Sequence, residues 1–116
     1  MSNVIKEEII KLVDKELDAA NKKFGLNHSN HESYAVLHEE IDEAREALAL
    51  VEYQERIVWN AVKSNAESVV MCNLYGKVYD AAVNLAVEAA QAAAMARKAI
   101  CSNLFECGNT DKKKEE

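Results

Sequence analysis

The chain of 116 residues contains no proline and only three glycines. Sheets and long loops depend on these residues for their turns, so their scarcity favours helices over strands. The hydrophobic fraction of 49% is sufficient for a packed core. These properties predict an all-α fold, an antiparallel bundle of three to four helices, two of them long.

Periodicity and end signals predict where the first helix lies. Apolar residues recur every three or four positions from Ser2 or Asn3 to about Lys23, as on one face of an amphipathic helix. Gly25 follows, and glycine is the usual residue just past a helix end. We therefore expect the first helix to end immediately before Gly25.

Two Ser-x-x-Glu sequences predict the starts of further helices, because in a capping box each side chain satisfies a free backbone N–H group. The first, Ser29–Glu32, predicts a helix that runs to about Lys63. The second, Ser64–Glu67, predicts a helical segment that reaches about Glu106. Gly76 is a position at which that segment could bend or divide.

The lengths of these helices predict self-association. Roughly 35 helical residues span on the order of 50 Å. A single small chain cannot build a core long enough to cover helices of that length. A second copy would cover the excess, and a homodimer or a tetramer is expected. Residues 1–107 are predicted to form one helical domain, and residues 108–116 a disordered charged tail.

Charge and cysteine content exclude several classes of function. The formal net charge is −6, which argues against passive wrapping of nucleic acid. No apolar run approaches the ~18–20 residues that span a bilayer. Three cysteines without a C-x-x-C spacing are typical of reduced thiols, so we predict a cytoplasmic protein without a zinc site, a nucleic-acid partner or a membrane partner.

The second predicted helix carries an acidic cluster at Glu39, Glu40 and Glu43. Spacings of three and four place these carboxylates within about one third of the helix circumference. Like charges so close together destabilise a helix. A solvated acidic face is one interpretation. The other is a groove between helices in which a hard divalent cation neutralises the carboxylates, and the apolar Val36 and Ala47 on the same side favour it.

The segment from Ala81 to Ile100 is rich in alanine and densely apolar, so it is predicted to be buried on most sides. Glu88, Gln91 and Lys98 share one narrow stripe of it. That stripe is either the solvent-exposed side of the helix or a set of polar groups facing the acidic cluster. In the second case, two helices together would build a metal site.

Aromatic residues occur at helical spacing in two places, Tyr53 with Trp59 and Tyr75 with Tyr79. Such side chains could stack on a nucleobase. Core or dimer contacts are the more common use of aromatics in this pattern, and we expect that role here.

The two polar patterns together resemble the MazG-like superfamily of all-α nucleoside triphosphate pyrophosphohydrolases. That superfamily carries E-E-x-x-E on one helix, as in residues 39–43, and E-x-x-D on a later helix, where this chain has Glu88 and Gln91. The lead-in Ser29–Val36 and the later segment Ala90–Lys98 are similar to those of small members common in phages and prophages.

The resemblance implies Mg²⁺-dependent cleavage of a nucleoside triphosphate to a monophosphate and pyrophosphate, with Mn²⁺ as an alternative metal, in nucleotide-pool housekeeping. It assigns the metal ligands to four positions: Glu40, Glu43, Glu88 and Gln91. It makes Glu39 either a metal ligand or the base that activates water, and it assigns a phosphate contact to Lys98.

Gln91 departs from the superfamily pattern, which has an aspartate at this position. An amide can ligate Mg²⁺ through its oxygen, but it contributes no negative charge. Two alternatives to the hydrolase therefore stay open. The chain could bind a nucleotide without hydrolysing it, or it could be a helical protein-interaction module whose acidic cluster is only a surface.

Overall fold

The computed structural model describes residues 3–105, and every regular element in that range is an α-helix. The helices are α1 (Asn3–Phe24), α2 (Asn30–Lys63) and α3 (Ser68–Leu104). The predicted all-α fold is confirmed, and α2 and α3 are the two long helices with 34 and 37 residues. The predicted charged tail and Cys107 lie outside the described residues.

The end of α1 follows the sequence signal. Gly25 takes a left-handed backbone conformation with φ of 74°, and its N–H donates to the carbonyl oxygen of Asn21 at 2.8 Å. Glycine meets no Cβ penalty in that conformation. The prediction that α1 ends before Gly25 is confirmed.

The helix α2 begins with the predicted pair of capping side chains, but one of the two hydrogen bonds comes from a donor one residue earlier than predicted. The Glu32 N–H donates to Ser29 Oγ at 3.1 Å, as in a capping box. The Glu32 carboxylate, however, accepts from the N–H of His28 at 2.6 Å, one residue before the expected donor. Two free N–H groups at the helix start are thus satisfied.

The second predicted helix start was wrong, because Ser64 closes α2 instead of opening α3. Asn65 takes a left-handed conformation with φ of 57° and donates to the carbonyl of Val62 at 3.0 Å. The N–H of Ala66 donates to the carbonyl of Ala61 at 3.0 Å. This pair of bonds is the Schellman arrangement that satisfies the last carbonyls of a helix. The next helix, α3, therefore begins at Ser68.

Gly76 neither divides nor ends α3, which continues from Ser68 to Leu104. Phe105 then takes a left-handed conformation with φ of 59°. The helix thus ends two residues before the predicted end near Glu106.

The described chain divides into two compact units. The first comprises residues 3–40 and 90–105, that is α1, the start of α2 and the end of α3. Its core consists of four buried side chains, with three partly buried ones packed against them: Val13, Leu17, Ala94 and Cys101, then Leu26, Ala90 and Met95. An ion pair between Arg97 and Asp14 at 3.0 Å lies at the surface of this unit.

The second unit, Ile41–Ala89, pairs the remainder of α2 with the first part of α3. A four-residue turn joins the two helices, so they run antiparallel. The less exposed positions of each helix repeat at spacings of three and four, and we call these two rows the inner seams. On α2 the inner seam is Ala44, Ala47, Val51, Gln54, Val58 and Ala61, and on α3 it is Met71, Leu74, Val78, Ala81, Leu85 and Glu88.

The prediction that residues 81–100 are buried on most sides was wrong. Ala81, Ala94 and Lys98 are buried, but Val83 and Val87 are exposed. A helix in a two-helix pair meets its neighbour along one side only, so its outer side stays accessible in the single chain.

The four aromatic residues of this unit are also exposed, each by more than half of its surface: Tyr53, Trp59, Tyr75 and Tyr79. They are therefore not core residues of the single chain. A contact with a second molecule stays open for them.

None of the helices within residues 3–105 is both long enough and apolar enough to cross a membrane.

The small core predicts that its few large side chains dominate the stability of the first unit. Leu17 is 3% exposed, whereas Leu12 on the same helix is 53% exposed. We expect Leu17→Ala to lower the free energy of unfolding by about 2–4 kcal/mol and Leu12→Ala by less than about 1 kcal/mol. Urea denaturation followed by circular dichroism would measure both. Equal losses in the two variants would contradict this assignment of the core.

Candidate metal site

The turn between α2 and α3 determines which residues of the second unit lie side by side. Glu43 precedes the end of α2 by twenty residues, and Glu88 follows the start of α3 by twenty residues. In an antiparallel pair, positions equidistant from the turn fall opposite each other. Glu88 of the inner seam is thereby placed beside Glu43.

Glu40 lies one turn before Glu43 on the same uninterrupted helix, α2. Glu40, Glu43 and Glu88 each contribute a carboxylate oxygen to a group whose members all lie within 4.8 Å of one another. The structure thus brings together three of the four metal ligands that the sequence motifs suggested. We call these three residues the carboxylate cluster.

The burial of the carboxylate cluster is uneven. Glu43 is exposed, while Glu40 and Glu88 are half-buried. The Oε1 atom of Glu88 is inaccessible to solvent and has no hydrogen-bond partner within the described part of the chain. Leaving a buried acceptor unsatisfied costs about 1–3 kcal/mol, and more when the group is charged. The cost disappears when a ligand with positive charge or a donor occupies the adjacent space.

Electrostatics points to the same kind of ligand. Three ionised carboxylates at this separation repel one another by on the order of 1 kcal/mol per pair, even in water. Hard divalent cations such as Mg²⁺ and Ca²⁺ prefer carboxylate oxygens, and binding one would convert the repulsion into attraction. The donor set of the carboxylate cluster therefore fits Mg²⁺ or Mn²⁺ and lacks the nitrogen and sulfur ligands typical of zinc.

Glu39 occupies a different position from the carboxylate cluster. Its side chain is exposed on α2, and it is not among the three carboxylates within 4.8 Å. A role as a direct ligand of an ion bound by these three residues is not favoured by this placement. Glu39 stays adjacent to Glu40 in the chain, so activation of a water molecule near the site stays a prediction.

Gln91 and Lys98 line a cavity in the first unit, which we call the first-unit cavity. Its volume is about 450 Å³. Glu40 also lines this cavity. The remaining lining residues combine acidic, amide and apolar side chains: Glu16, Ala20, Phe24, Asn27, Glu32, Val36 and Met95. Small-molecule sites typically have this size and mixture.

Lys98 is the most unusual lining residue, because it is only 4% exposed. The contact that the structure gives its ammonium group is the face of the Phe24 ring, with Nζ 5.9 Å from the ring centroid. A cation–π contact offsets part of the cost of burying a charge, but an anionic partner would offset far more. The first-unit cavity thus holds a cation that an anionic ligand group could reach.

Sequence reasoning did not anticipate the contributions of Glu16, Phe24 and Glu32 to the first-unit cavity. Glu32 was identified only as a capping residue, and it does serve that role. Glu16 and Phe24 belong to α1, whose pattern is an ordinary amphipathic one. No sequence signal marks them, since their role depends on which helices surround the cavity.

No family model, curated protein or solved structure matches this chain. The resemblance of its motifs to the MazG-like superfamily therefore stays an expectation from sequence. The functional argument depends on the geometry of the carboxylate cluster and the first-unit cavity.

The carboxylate cluster predicts stabilisation by divalent cations. Mg²⁺ at about one hundred times its Kd would add about 2.7 kcal/mol, which raises the Tm of a domain of this size by on the order of 10 °C. Glu88→Gln should abolish most of that rise while leaving the cation-free protein folded, because it removes a repelling charge. Differential scanning fluorimetry would measure both effects.

Glu55→Gln is the matched control for this experiment. Glu55 is an exposed glutamate of α2 outside the carboxylate cluster, so this variant should keep the full cation-dependent rise in Tm. An equal rise in all three proteins would show unspecific screening and would contradict a metal site at Glu88.

Proposed function

We propose that this protein is a Mg²⁺-dependent nucleoside triphosphate pyrophosphohydrolase, with Mn²⁺ as an alternative metal. The observation that carries the proposal is the carboxylate cluster, in which Glu40, Glu43 and Glu88 converge from two helices and one oxygen of Glu88 is buried without a hydrogen-bond partner. The motif resemblance supports the same assignment.

The reaction adds water to the α-phosphorus of the substrate. A new bond forms between the water oxygen and this phosphorus, the bond from it to the bridging oxygen breaks, and pyrophosphate leaves. The products are a nucleoside monophosphate and pyrophosphate, and the proton lost by water passes to a base. A bound divalent cation would neutralise the charge on the phosphate oxygens.

Different residues of the chain are proposed for different parts of this reaction. Glu40, Glu43 and Glu88 would hold the cation. Glu39, exposed and next to Glu40, is proposed as the base that accepts the proton from water. Gln91 would add an amide oxygen as a further ligand or as a hydrogen-bond partner of the substrate.

The first-unit cavity supports a nucleotide as the substrate. Its volume suits a small molecule, and Glu40 and Gln91 both line it. Lys98 is buried with no anionic partner among its contacts in the described chain, and a phosphate group would supply one. Phe24 offers an aromatic face beside this ammonium group.

Nucleotide-pool housekeeping is the proposed cellular role, in the cytoplasm. A pyrophosphohydrolase of this kind acts on free nucleotides rather than on polymers, which agrees with the acidic net charge. Cys72 and Cys101 are free thiols, a state that a reducing compartment maintains.

A nucleotide-binding protein without hydrolytic activity is the second candidate. The specific observation in its favour is Gln91, which brings no charge where the resembling superfamily has an aspartate. With one carboxylate fewer, the site would hold a cation less tightly and could lack a second one.

Hydrolysis is tested with the purified chain, Mg²⁺ and a panel of canonical and modified nucleoside triphosphates. We expect release of pyrophosphate from at least one of them, and a rate lower by roughly a hundredfold or more in Glu40→Gln, because this variant removes a metal ligand. Glu55→Gln should keep the full rate. An enzyme-coupled assay of pyrophosphate gives the measurement.

The outcomes distinguish the two candidates. Absence of pyrophosphate release together with a Mg²⁺-dependent rise in Tm on adding a nucleotide would establish the binding protein instead of the enzyme. Absence of both responses would reject the nucleotide as a ligand. Release that persists in Glu40→Gln would reject the assigned metal ligand.

Gln91→Asp tests whether Gln91 belongs to the metal site. The substitution restores the missing charge, so we expect the Kd for Mg²⁺ to fall by roughly tenfold, the factor that about 1.4 kcal/mol produces. Isothermal titration calorimetry with Mg²⁺ alone would measure it. An unchanged Kd would place Gln91 outside the metal site and leave it only a cavity-lining role.

A further inference from the structure

The first-unit cavity is formed by the first unit alone. Every residue that lines it lies on α1, in the loop after α1, at the start of α2 or at the end of α3. Glu43 and Glu88, which provide two of the three carboxylates of the carboxylate cluster, belong to the second unit and do not line this cavity. A divalent cation held by the carboxylate cluster is therefore not needed to form the cavity.

Lys98 supplies the first-unit cavity with a cation that lacks a countercharge. Its side chain is almost fully buried, and its ammonium group contacts the Phe24 ring but makes no ion pair with the described residues. Its neighbour Arg97, in contrast, is exposed and forms the ion pair with Asp14. Because a buried ammonium group without an anion is costly, the cavity is suited to an anionic group placed at Lys98.

A second ammonium group lies near the same aromatic ring. Lys23 is exposed near the end of α1, and its Nζ atom is 5.3 Å from the centroid of the Phe24 ring. Two positive charges thus lie close to one ring in a chain whose net charge is −6. Since lysine has a flexible four-carbon stem, Lys23 can move its ammonium group towards an anion that Lys98 holds.

A phosphate monoester matches this pair of lysines in charge. At pH 7 a monoester carries between about 1.5 and 2 negative charges, because its second pKa is about 6. The α-phosphate inside a triphosphate chain has a single ionised oxygen and carries less charge. Two lysines therefore favour the phosphate of a monophosphate over the α-phosphate of a triphosphate.

The carboxylates of the cavity wall act against a longer chain of phosphates. Glu16, Glu32 and Glu40 line the cavity together with the single cation Lys98. Glu16 and Glu32 are exposed, whereas Lys98 is buried, so these two acids lie nearer to solvent than the cation does. The several negative charges of a triphosphate are repelled by these acids unless a divalent cation neutralises them.

We propose that Lys98 and Lys23 bind the phosphate of a nucleoside monophosphate in the first-unit cavity without a divalent cation. The choice of this ligand rests on the proposed function, because a nucleoside monophosphate is a product of that reaction. The bound product competes with the next triphosphate for the same cavity. The protein is therefore inhibited by its own product.

Binding is tested by isothermal titration calorimetry of the full chain in EDTA, with the ribonucleoside and deoxyribonucleoside monophosphates of the common bases. We expect at least one of them to bind with a Kd at least about tenfold lower than that of its nucleoside and of its triphosphate. The nucleoside measures what the phosphate contributes, and the triphosphate measures the effect of the longer chain. No binding of any monophosphate, or equal binding of the matched triphosphate, would overturn the proposal.

Lys98→Met and Lys23→Met test the two lysines, because methionine keeps an unbranched side chain and removes the charge. Lys98→Met should raise the Kd for the monophosphate by roughly tenfold or more, and Lys23→Met by about two- to fivefold, since salt screens an exposed charge. Lys22→Met is the matched control, because Lys22 is an exposed lysine of α1 outside the cavity lining, and its Kd should stay unchanged. An unchanged Kd in Lys98→Met would overturn the proposal, as would equal rises in Lys22→Met and Lys23→Met.

A circular dichroism melt of each variant distinguishes loss of binding from loss of folding. Lys98→Met removes a buried charge without a countercharge, so its Tm should not fall. Lys23 is exposed, so Lys23→Met should fold like the unmodified chain and tests the phosphate site even if Lys98→Met unfolds.

Inhibition by the product is tested by adding the monophosphate to the pyrophosphate-release assay with Mg²⁺. We expect a higher apparent KM for the triphosphate at unchanged kcat, and a weaker inhibition in Lys23→Met by the factor that its monophosphate Kd rises. Hydrolysis that the monophosphate does not inhibit would overturn the product role while leaving the hydrolase intact. Binding of a monophosphate in EDTA by a chain that hydrolyses no triphosphate would instead refute the hydrolase and support the phosphate site.

Discussion

The turn between α2 and α3 sets the register of the two longest helices, and the carboxylate cluster depends on that register. Asn65 in its left-handed conformation ends α2 and limits the connection to four residues. Insertion of a single residue into α3 before Glu88 would rotate Glu88 by about 100° about the helix axis relative to the residues before the insertion. Glu88 would then no longer be aimed at Glu43. A feature as local as one helix end thus determines whether three distant glutamates can share a ligand.

Small side chains at the helix contact of the second unit explain why so much apolar surface around it stays exposed. Ala47 and Ala81 are the buried apolar residues of the second unit. Alanines let two helices approach closely, but each removes little apolar area from water. Other apolar side chains of α3, such as Tyr79 and Val83, lie exposed on its outer side.

The sequence predicted the helices well wherever their ends are marked by local chemistry. Gly25 and the pair Ser29–Glu32 act through hydrogen bonds to residues at most four positions away, so their effect can be read without a structure. The prediction from the Ser64–Glu67 pair was wrong because a Ser-x-x-Glu sequence beside a helix end fits either the end of one helix or the start of the next. The left-handed conformation of Asn65 decided that Ser64 belongs to the end of α2, and no rule of spacing distinguishes the two cases.

In the candidate site too, some features follow from local sequence and others follow only from helix packing. Spacing alone placed Glu40 and Glu43 on one face of α2, since helical geometry determines which residues share a face. Whether Glu88 joins them, and whether Lys98 is buried beside Phe24, depended on which helices pack together and in what register. Helix formation is governed by interactions between residues close together in the chain, and these can be read directly from the sequence. Packing is governed by contacts between residues far apart in the chain, and only the tertiary structure specifies them.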